Sequence, residues 1–187
     1  MTLRRLIDSG MKWLLTDPHF NHENLVLRGN RPKGYETLIW DSWTSLVGQG
    51  DTVYCLGDVC FKKQGESHEM YVMPMPGYKI LIAGNHDRQK PQWYLDHGWN
   101  EFHPTTLRVQ HGPVRVLLSH KPQQDDGSFD VNVHGHFHND VHRAQEPDMV
   151  AIRSPKHRLL ALECVNYQLV PFGDFVDGKV VQEGLPV

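Results

Sequence analysis

The stretch Lys-Trp-Leu-Leu-Thr-Asp-Pro-His at positions 12–19 begins with an apolar run and ends in two potential metal ligands, Asp17 and His19. A short apolar run without polar alternation predicts a strand that is buried on both faces. An Asp at the end of such a strand, with a His two residues later, can place both side chains on one ion from a tight turn. The stretch therefore predicts a central β-strand and a candidate metal site at its carboxyl end.

The same pattern recurs four more times along the chain. The further stretches that end in oxygen or nitrogen ligands are Gly57-Asp58, Gly84-Asn85-His86-Asp87, Ser119-His120 and Gly135-His136-Phe137-His138. Most of them follow an apolar, β-prone run, so parallel strands would bring them to one edge of a sheet. Asp, Asn and His without Cys suit borderline-hard divalent ions better than a structural tetrathiolate zinc site does.

Strands and helices are predicted to alternate in the first half of the chain. The predicted elements there are strands at 12–16, 51–56 and 78–83, a helical turn near 23–27, and helices at 35–47, 66–73 and 91–97. The second half is predicted as a hairpin of 105–110 and 114–119, a strand at 131–134, closing strands at 159–165 and 167–170, and a hairpin turn at 177–178. This order predicts an α/β sandwich with a mixed sheet or two facing sheets.

Length and composition indicate one globular domain. The chain has 187 residues, of which 39% are hydrophobic and 22% charged, enough to bury a substantial core. Residues 1–10 precede the first predicted strand and are expected to be an N-terminal extension to a single domain over 11–187.

Charge and cysteine usage narrow the classes of function. The net charge is −3 and no run of basic residues stands out, so extended nucleic-acid binding is not favoured. Three cysteines without a C-x-x-C pair fit a reducing compartment. Neither a signal peptide nor an apolar run of about 18 residues is present, so we expect a cytoplasmic protein without a membrane span.

The motifs, taken in order, resemble those of the calcineurin-like metallophosphoesterases. The matching motifs are D-x-H at 17–19, G-D at 57–58, G-N-H-D at 84–87, a strand-ending His at 120 and G-H-x-H at 135–138. The stretch Asn30-Arg31-Pro32 and the compact length are similar to the small single-domain bacterial and phage phosphoesterases of that superfamily. The resemblance implies an αββα sandwich of two mixed sheets flanked by helices, with the metal site at the carboxyl ends of strands.

The resemblance also implies a dinuclear site. One ion would be held by Asp17, His19, Asp58 and His138. The other would be held by Asp58, Asn85, His120 and His136, so that Asp58 bridges the two. Mn²⁺ is the favoured metal, and Fe, Zn and Ni are the alternatives.

Four further residues are candidates for catalysis and substrate binding. His86 would be the general acid for the leaving oxygen, and Asp87 would orient and charge-stabilise that imidazole. His22 and Arg31 are the candidate substrate-binding residues. Protein Ser/Thr phosphatases of the superfamily extend the second motif to G-D-x-x-D-R-G, whereas here it continues as Val-Cys-Phe-Lys-Lys at 59–63. That departure argues against a phosphoprotein phosphatase.

The expected function is a dinuclear metal-dependent phosphoesterase that uses a metal-bound hydroxide. A phosphodiesterase is favoured, because a histidine acid such as His86 helps to expel a poor alkoxide leaving group. Family analogy points to a nucleotide or another small phosphate ester as substrate. The alternatives are a phosphomonoesterase, a nucleotide pyrophosphatase or, from another class, a non-catalytic metal-binding module.

Overall fold

The computed structural model describes residues 10–139 and 154–184. Residues 1–9, which make up most of the predicted N-terminal extension, lie outside the described residues, as do 140–153 and 185–187. The strands in the described part of the chain form two sheets, one of five strands and one of four. None of the helices in this part is both long and apolar enough to cross a lipid bilayer.

The first sheet is mixed and carries most of the predicted central strands. Its strands are β1 (Lys12–Leu15), β2 (Thr52–Cys55), β3 (Tyr78–Ile82), β4 (Glu101–His103) and β9 (Val170–Pro171). They lie in the order β4-β3-β2-β1-β9. The first four are parallel to one another, whereas β9 is antiparallel to β1. The carboxyl ends of β1, β2 and β3 therefore meet at one edge of the sheet.

Helices connect these parallel strands. The connecting helices are α1 (Glu23–Leu27), α2 (Tyr35–Leu46), α3 (Gln64–Tyr71) and α4 (Pro91–Asp96). In α2 the buried residues Tyr35, Ile39 and Trp43 recur every four positions, which makes one apolar stripe against the sheet. The helix expected at 66–73 begins two residues earlier, because Ser67 N–H already donates to the Lys63 carbonyl in its first turn.

Alternate residues of the first sheet enter two different cores. In β1, Trp13 and Leu15 pack with α2, while Leu14 faces the second sheet. In β2, Val53 packs in the same core as Trp13 and Leu15, and Tyr54 packs in the core between the sheets. Successive side chains of a strand point to opposite faces, and here both faces are covered. This explains why the strands read as continuous apolar runs.

The second sheet is also mixed and faces the first. Its strands are β5 (Thr106–His111), β6 (Val114–Ser119), β7 (Val131–His134) and β8 (His157–Leu159), in that order. The first two form the predicted antiparallel hairpin around Gly112, whereas β6, β7 and β8 are parallel. Leu118 and Val133 pack against Leu14 between the sheets. The predicted arrangement of two mixed sheets flanked by helices is confirmed.

The prediction of strands at 159–165 and 167–170 is wrong for most of those residues. β8 ends at Leu159, and Leu162–Val165 is a 3₁₀ helix. Tyr167 has a φ of 59°, outside the range of a strand, and only Val170 of that stretch is in β9. A short apolar run does not distinguish a buried strand from a buried helical turn. The turn places Glu163 beside Arg31, which is 132 residues away in sequence.

The predicted hairpin turn at 177–178 is also wrong. A short helix, α5 (Phe172–Val176), precedes it, and Asp177 N–H donates to the Gly173 carbonyl as the helix ends. Gly178, with a φ of 74°, stops the helix in the left-handed conformation typical of such ends. Phe172 and Phe175 of α5 extend the core between the two sheets.

Candidate metal centre

The loops after β1 and β2 are held together as a continuation of the sheet. Asp17 N–H donates to the Gly57 carbonyl at 3.0 Å, and His19 N–H donates to the Asp58 carbonyl at 3.0 Å. The first two ligand motifs are thus paired by backbone hydrogen bonds, one beside the other. Their side chains reach the carboxyl edge of the sheet, as the sequence predicted.

Five of the seven candidate ligands have a left-handed backbone. Positive φ angles of 47° to 73° occur at Asp17, His19, Asp58, His136 and His138. Such angles are uncommon for residues other than glycine, and each costs on the order of 1–3 kcal/mol unless the surroundings impose it. Backbone strain of this kind concentrates at functional sites. Five of the nine non-glycine residues with a positive φ in the described part of the chain are therefore candidate ligands.

The candidate ligands converge in two groups. Asp17, His19 and His138 form one group, and Asp58, His120 and His136 form the other. Within each group the ligand atoms lie within 4.8 Å of one another. This division matches the two ligand sets that the resemblance implied.

Asp58 lies between the two groups. Its Oδ2 is 3.7 Å from His19 Nε2 of the first group and 3.4 Å from His120 Nε2 of the second. Asp17 Oδ1 and His19 Nδ1 are buried and have no hydrogen-bond partner in the described residues. Buried polar atoms are almost always paired, so the unpaired Asp17 Oδ1 fits a cation ligand. The residues present therefore fit a pair of divalent ions.

His120 is oriented as a metal ligand. Its Nδ1 is 2.8 Å from the Leu56 carbonyl, which can only accept, so Nδ1 carries the hydrogen. Its Nε2 then points at Asn85 Oδ1 and His136 Nδ1, each 3.1 Å away. A backbone carbonyl that fixes the second nitrogen is the usual support of a metal-binding histidine. Asn85 is thereby brought to the second group as predicted.

The electrostatics of the site favour bound positive charge. Burial opposes ionisation of Asp17 and Asp58, but His120 beside them holds the pKa of both carboxyls below the usual range. Burial also disfavours a charge on His120, yet Asp17 and Asp58 outweigh it and raise its pKa to about 9. Two buried carboxylates thus create a field that attracts cations.

His86 lies at the edge of the metal centre. Its Nε2 is 3.9 Å from Asp58 Oδ2, and 29% of its side chain is exposed. Its backbone is fixed on both sides, because its N–H donates to Asp58 Oδ1 and its carbonyl accepts from the Gln64 amide. The imidazole therefore faces the cleft and is not buried among the ligands.

Asp87 does not have the role that was predicted for it. Its carboxylate accepts from the backbone N–H groups of Gly84, Asp58 and Val59, at 2.7–3.2 Å. The described residues show no contact between this carboxylate and the His86 imidazole. These three backbone N–H groups use the accepting oxygens of the buried carboxylate, which therefore links the second motif to the third. Burial raises the pKa of Asp87 to about 6.

Arg31 is buried, which contradicts its predicted contact with substrate. The side chain is 0% exposed and lies against the rings of Tyr35 and Tyr167. Its guanidinium donates to the backbone carbonyls of Asp17 and Pro18 and to the Glu163 carboxylate. A buried guanidinium needs such partners, so its donors are used within the protein.

Glu163 is a site residue that the sequence predictions missed. Its Oε1 accepts from Arg31 and from His138 Nδ1 at 2.9 Å, and its side chain is 6% exposed. Burial opposes its charge, but His138 and Arg31 lower its pKa to about 2. The available signal was an acidic residue inside the apolar run 159–165, because a buried charge needs a partner.

A cleft of about 490 Å³ opens above the first ligand group. His22 and Phe61 line it as a stacked pair, with ring centroids 3.8 Å apart. Burial and the nearby cationic groups lower the pKa of His22 to about 4, so it lines the cleft as a neutral ring at pH 7. Arg28 lines the same cleft, is exposed, and its guanidinium has no partner within the described residues.

Sequence comparisons found relatives without a named activity. No family model matches the chain. It is 26% identical over 180 residues to the uncharacterized protein MJ1445 of Methanocaldococcus jannaschii, with 92% of each chain covered. It is 29% identical over 173 residues to the gene 66 protein of Mycobacterium phage L5, covering 71% of this chain and 83% of that protein.

One solved structure shares most of the fold. A protein of unknown function from Aquifex aeolicus, AQ665, has a TM-score of 0.69 and 25% sequence identity. The match covers 91% of this chain and 100% of the other. The structural match supports the fold over most of the chain, and none of these relatives names an activity.

Proposed function

We propose that this protein is a dinuclear metal-dependent phosphoesterase and acts preferentially on phosphodiesters. The observation that carries the proposal is the position of Asp58, whose Oδ2 lies 3.7 Å from His19 and 3.4 Å from His120, between two groups of ligands. A carboxylate with one oxygen near two sets of imidazoles is placed so that it could bridge two ions.

The two groups of side chains indicate which ligands would hold each ion. Asp17, His19 and His138 would hold one ion, and His120, His136 and Asn85 the other, with Asp58 shared. Two ions at such a site lower the pKa of a bound water and neutralise charge on a phosphoryl group. The oxygen and nitrogen donors suit borderline-hard divalent ions in general. Mn²⁺ is the ion proposed from the resemblance of the motifs, with Fe, Zn and Ni as alternatives.

His86 would protonate the leaving oxygen. It lines the cleft, is partly exposed, and is held by two backbone hydrogen bonds, so its imidazole can reach a bound ester without contributing to the ligand groups. A general acid matters most for an alkoxide leaving group, because such a group is a strong base. This favours a diester substrate over an activated monoester.

The cleft limits the size and polarity of the substrate. A volume of about 490 Å³ is in the range of small-molecule sites. The aromatic pair of His22 and Phe61 offers a flat apolar wall, and Arg28 offers a positive charge. A nucleotide or another small phosphate ester combines an anionic group with an apolar portion and fits these walls.

The first experiment compares His86→Ala with the unchanged protein, both loaded with Mn²⁺. Loss of a general acid should lower kcat by about 10²–10⁴-fold on a cyclic nucleotide, whose leaving group is an alkoxide, and less on bis-p-nitrophenyl phosphate, whose nitrophenolate needs little protonation. Calorimetric titration should still give two bound ions, because His86 is outside both ligand groups. His103→Ala is the matched control, since His103 is on β4, away from the cleft, and should leave the rate unchanged.

The same protein preparations distinguish between the alternative functions. Rates on a monoester, a linear diester and a cyclic diester distinguish a phosphomonoesterase from the proposed diesterase. An unchanged rate of His86→Ala on the cyclic nucleotide removes that residue from the mechanism. Cleavage of a nucleotide pyrophosphate but of none of the esters would identify a nucleotide pyrophosphatase. A protein that binds two Mn²⁺ ions and cleaves none of these substrates is a non-catalytic metal-binding module, and one that binds none refutes the metal centre.

A further inference from the structure

We propose that Glu163 is a positioning residue for His138, holding it in the tautomer that leaves Nε2 free for a cation. The proposal rests on the metal centre proposed above. It concerns a residue outside all five motifs, in the 3₁₀ helix near the carboxyl end of the chain.

Glu163, Arg31 and His138 form a compact buried cluster. Glu163 Oε1 is 2.9 Å from His138 Nδ1, 2.8 Å from Arg31 Nε and 2.7 Å from Arg31 Nη2. The side chains of Glu163 and Arg31 are 6% and 0% exposed. Water therefore competes little for these hydrogen bonds, and their geometry decides where the protons lie.

His138 Nδ1 has two neighbours that demand opposite tautomers. Glu163 Oε1 accepts a hydrogen from Nδ1, whereas Arg31 Nη2, 3.1 Å from the same nitrogen, could only donate to it. If Nδ1 accepted, the hydrogen of the neutral ring would be on Nε2. That nitrogen is on the side of Asp17, 3.7 Å from Oδ1, and would be blocked as a ligand.

The hydrogens of Arg31 resolve this competition. Nη2 carries two hydrogens, and it lies 2.9 Å from the Asp17 carbonyl and 2.7 Å from Glu163 Oε1. One hydrogen goes to the Asp17 carbonyl, and the other has Glu163 Oε1 at 2.7 Å as an alternative to His138 Nδ1, so Arg31 does not need Nδ1 as an acceptor. A lone pair on Nδ1 would face the Glu163 carboxylate oxygen at 2.9 Å with no hydrogen between them. Nδ1 therefore donates to Glu163, which leaves the Nε2 lone pair facing the first ligand group. Removing the carboxylate would release one Arg31 hydrogen toward Nδ1 and favour the opposite tautomer.

The test measures Mn²⁺ affinity by calorimetric titration of metal-free protein. Glu163→Ala should weaken one of the two sites about 10–100-fold, as loss of a supporting partner of a ligand does, and leave the other unchanged. Glu163→Gln keeps an accepting oxygen and should recover part of that loss. Glu183→Ala is the matched control, because Glu183 is exposed in the same carboxyl-terminal segment.

A second background shows whether the effect passes through His138. In His138→Ala, the further change Glu163→Gln should have no additional effect on Mn²⁺ affinity, because the ring that it positions is absent. An equal loss of Mn²⁺ affinity in both backgrounds would assign Glu163 a general structural role and overturn the proposal. Unchanged Mn²⁺ affinity in Glu163→Ala would also overturn it.

Nitrogen NMR of metal-free protein gives a readout that does not depend on metal or on stability of the alanine variant. His138 should be in the Nδ1–H form in the unchanged protein and shift toward the Nε2–H form in Glu163→Gln. An Nε2–H ring in the unchanged protein overturns the proposal. If the unchanged protein binds no Mn²⁺ but shows the Nδ1–H ring, the metal centre fails while the positioning contact stands.

Discussion

Arg28 and Arg31 are three positions apart and have opposite environments. Arg31 is fully buried and holds the backbone of the first motif, whereas Arg28 is exposed at the cleft and has no partner in the part of the chain that is described. Both are charged residues in a polar loop, so their types do not separate them. Arg31 has a structural role because it is buried, whereas the exposed Arg28 is available to bind an anion.

Arg28→Gln should weaken binding of an anionic ester without changing its chemistry. A hydrogen bond to a charged group contributes about 1.5–3 kcal/mol, so KM for bis-p-nitrophenyl phosphate should rise about tenfold or more while kcat is kept. Steady-state kinetics with Mn²⁺ measures both. Arg108→Gln, on β5 and outside the cleft, is the control and should match the unchanged protein. A fall in kcat alone contradicts a binding role.

At the scale of elements, the loops at the strand ends pack so closely that only glycine fits between them. A Cβ on Gly135 would overlap the Thr16 hydroxyl and the Asp17 carboxylate, and one on Gly84 would overlap the Asp58 carboxylate. Neither contact involves a flexible side-chain end that could move without cost, because these carboxylates are the candidate ligands. The glycines in the motifs thus allow the strand ends to converge.

Gly135→Ala should displace Asp17 and disrupt the first ligand group. We expect a loss of about 1–3 kcal/mol in the free energy of unfolding, typical of overpacking, and weaker binding of Mn²⁺. Gly65→Ala is the matched control, since a Cβ there meets no atom within 4 Å and its place in α3 favours alanine. Urea unfolding and calorimetric titration measure the two effects. Equal stability in both variants argues against the tight packing.

At the scale of the whole molecule, a buried histidine in the helical layer makes the stability of the fold depend on pH. His68 on α3 is 1% exposed and packs against Trp93 and Tyr94 of α4. Burial lowers its pKa to about 4, although the Gln64 carbonyl, which accepts from Nδ1, acts in the other direction. The folded protein therefore keeps this ring neutral at pH values where the unfolded chain binds a proton.

The stability of the fold should fall in acid because of His68. Between pH 6.5 and about 4 the unfolded state binds one more proton than the folded state, so stability decreases as the pH falls through that window. This lowering of the His68 pKa corresponds to about 3 kcal/mol in the free energy of unfolding. Urea unfolding at pH 7 and pH 4 should show that much less acid sensitivity in His68→Gln than in the unchanged protein. The same loss of stability between the two pH values in both proteins would contradict the assignment to His68.

Local sequence chemistry was enough to predict the strand ends and the types of ligand. Apolar runs such as 12–16 can only be buried on both faces, and motif order then brings Asp17, Asp58 and Asn85 to one sheet edge. These inferences depend on local chemistry and on the rule that parallel strands share a carboxyl edge, so they need no tertiary detail.

The side chains that support those ligands can be identified only in the folded chain. Arg31, Glu163 and His138 come from three distant parts of the chain, and no local pattern records that they meet. The tail 159–170 is a second case, because its apolar pattern does not distinguish the 3₁₀ turn that carries Glu163 from a buried strand. Burial and long-range hydrogen bonds exist only in the folded chain, so they alone distinguish a ligand support from a substrate contact.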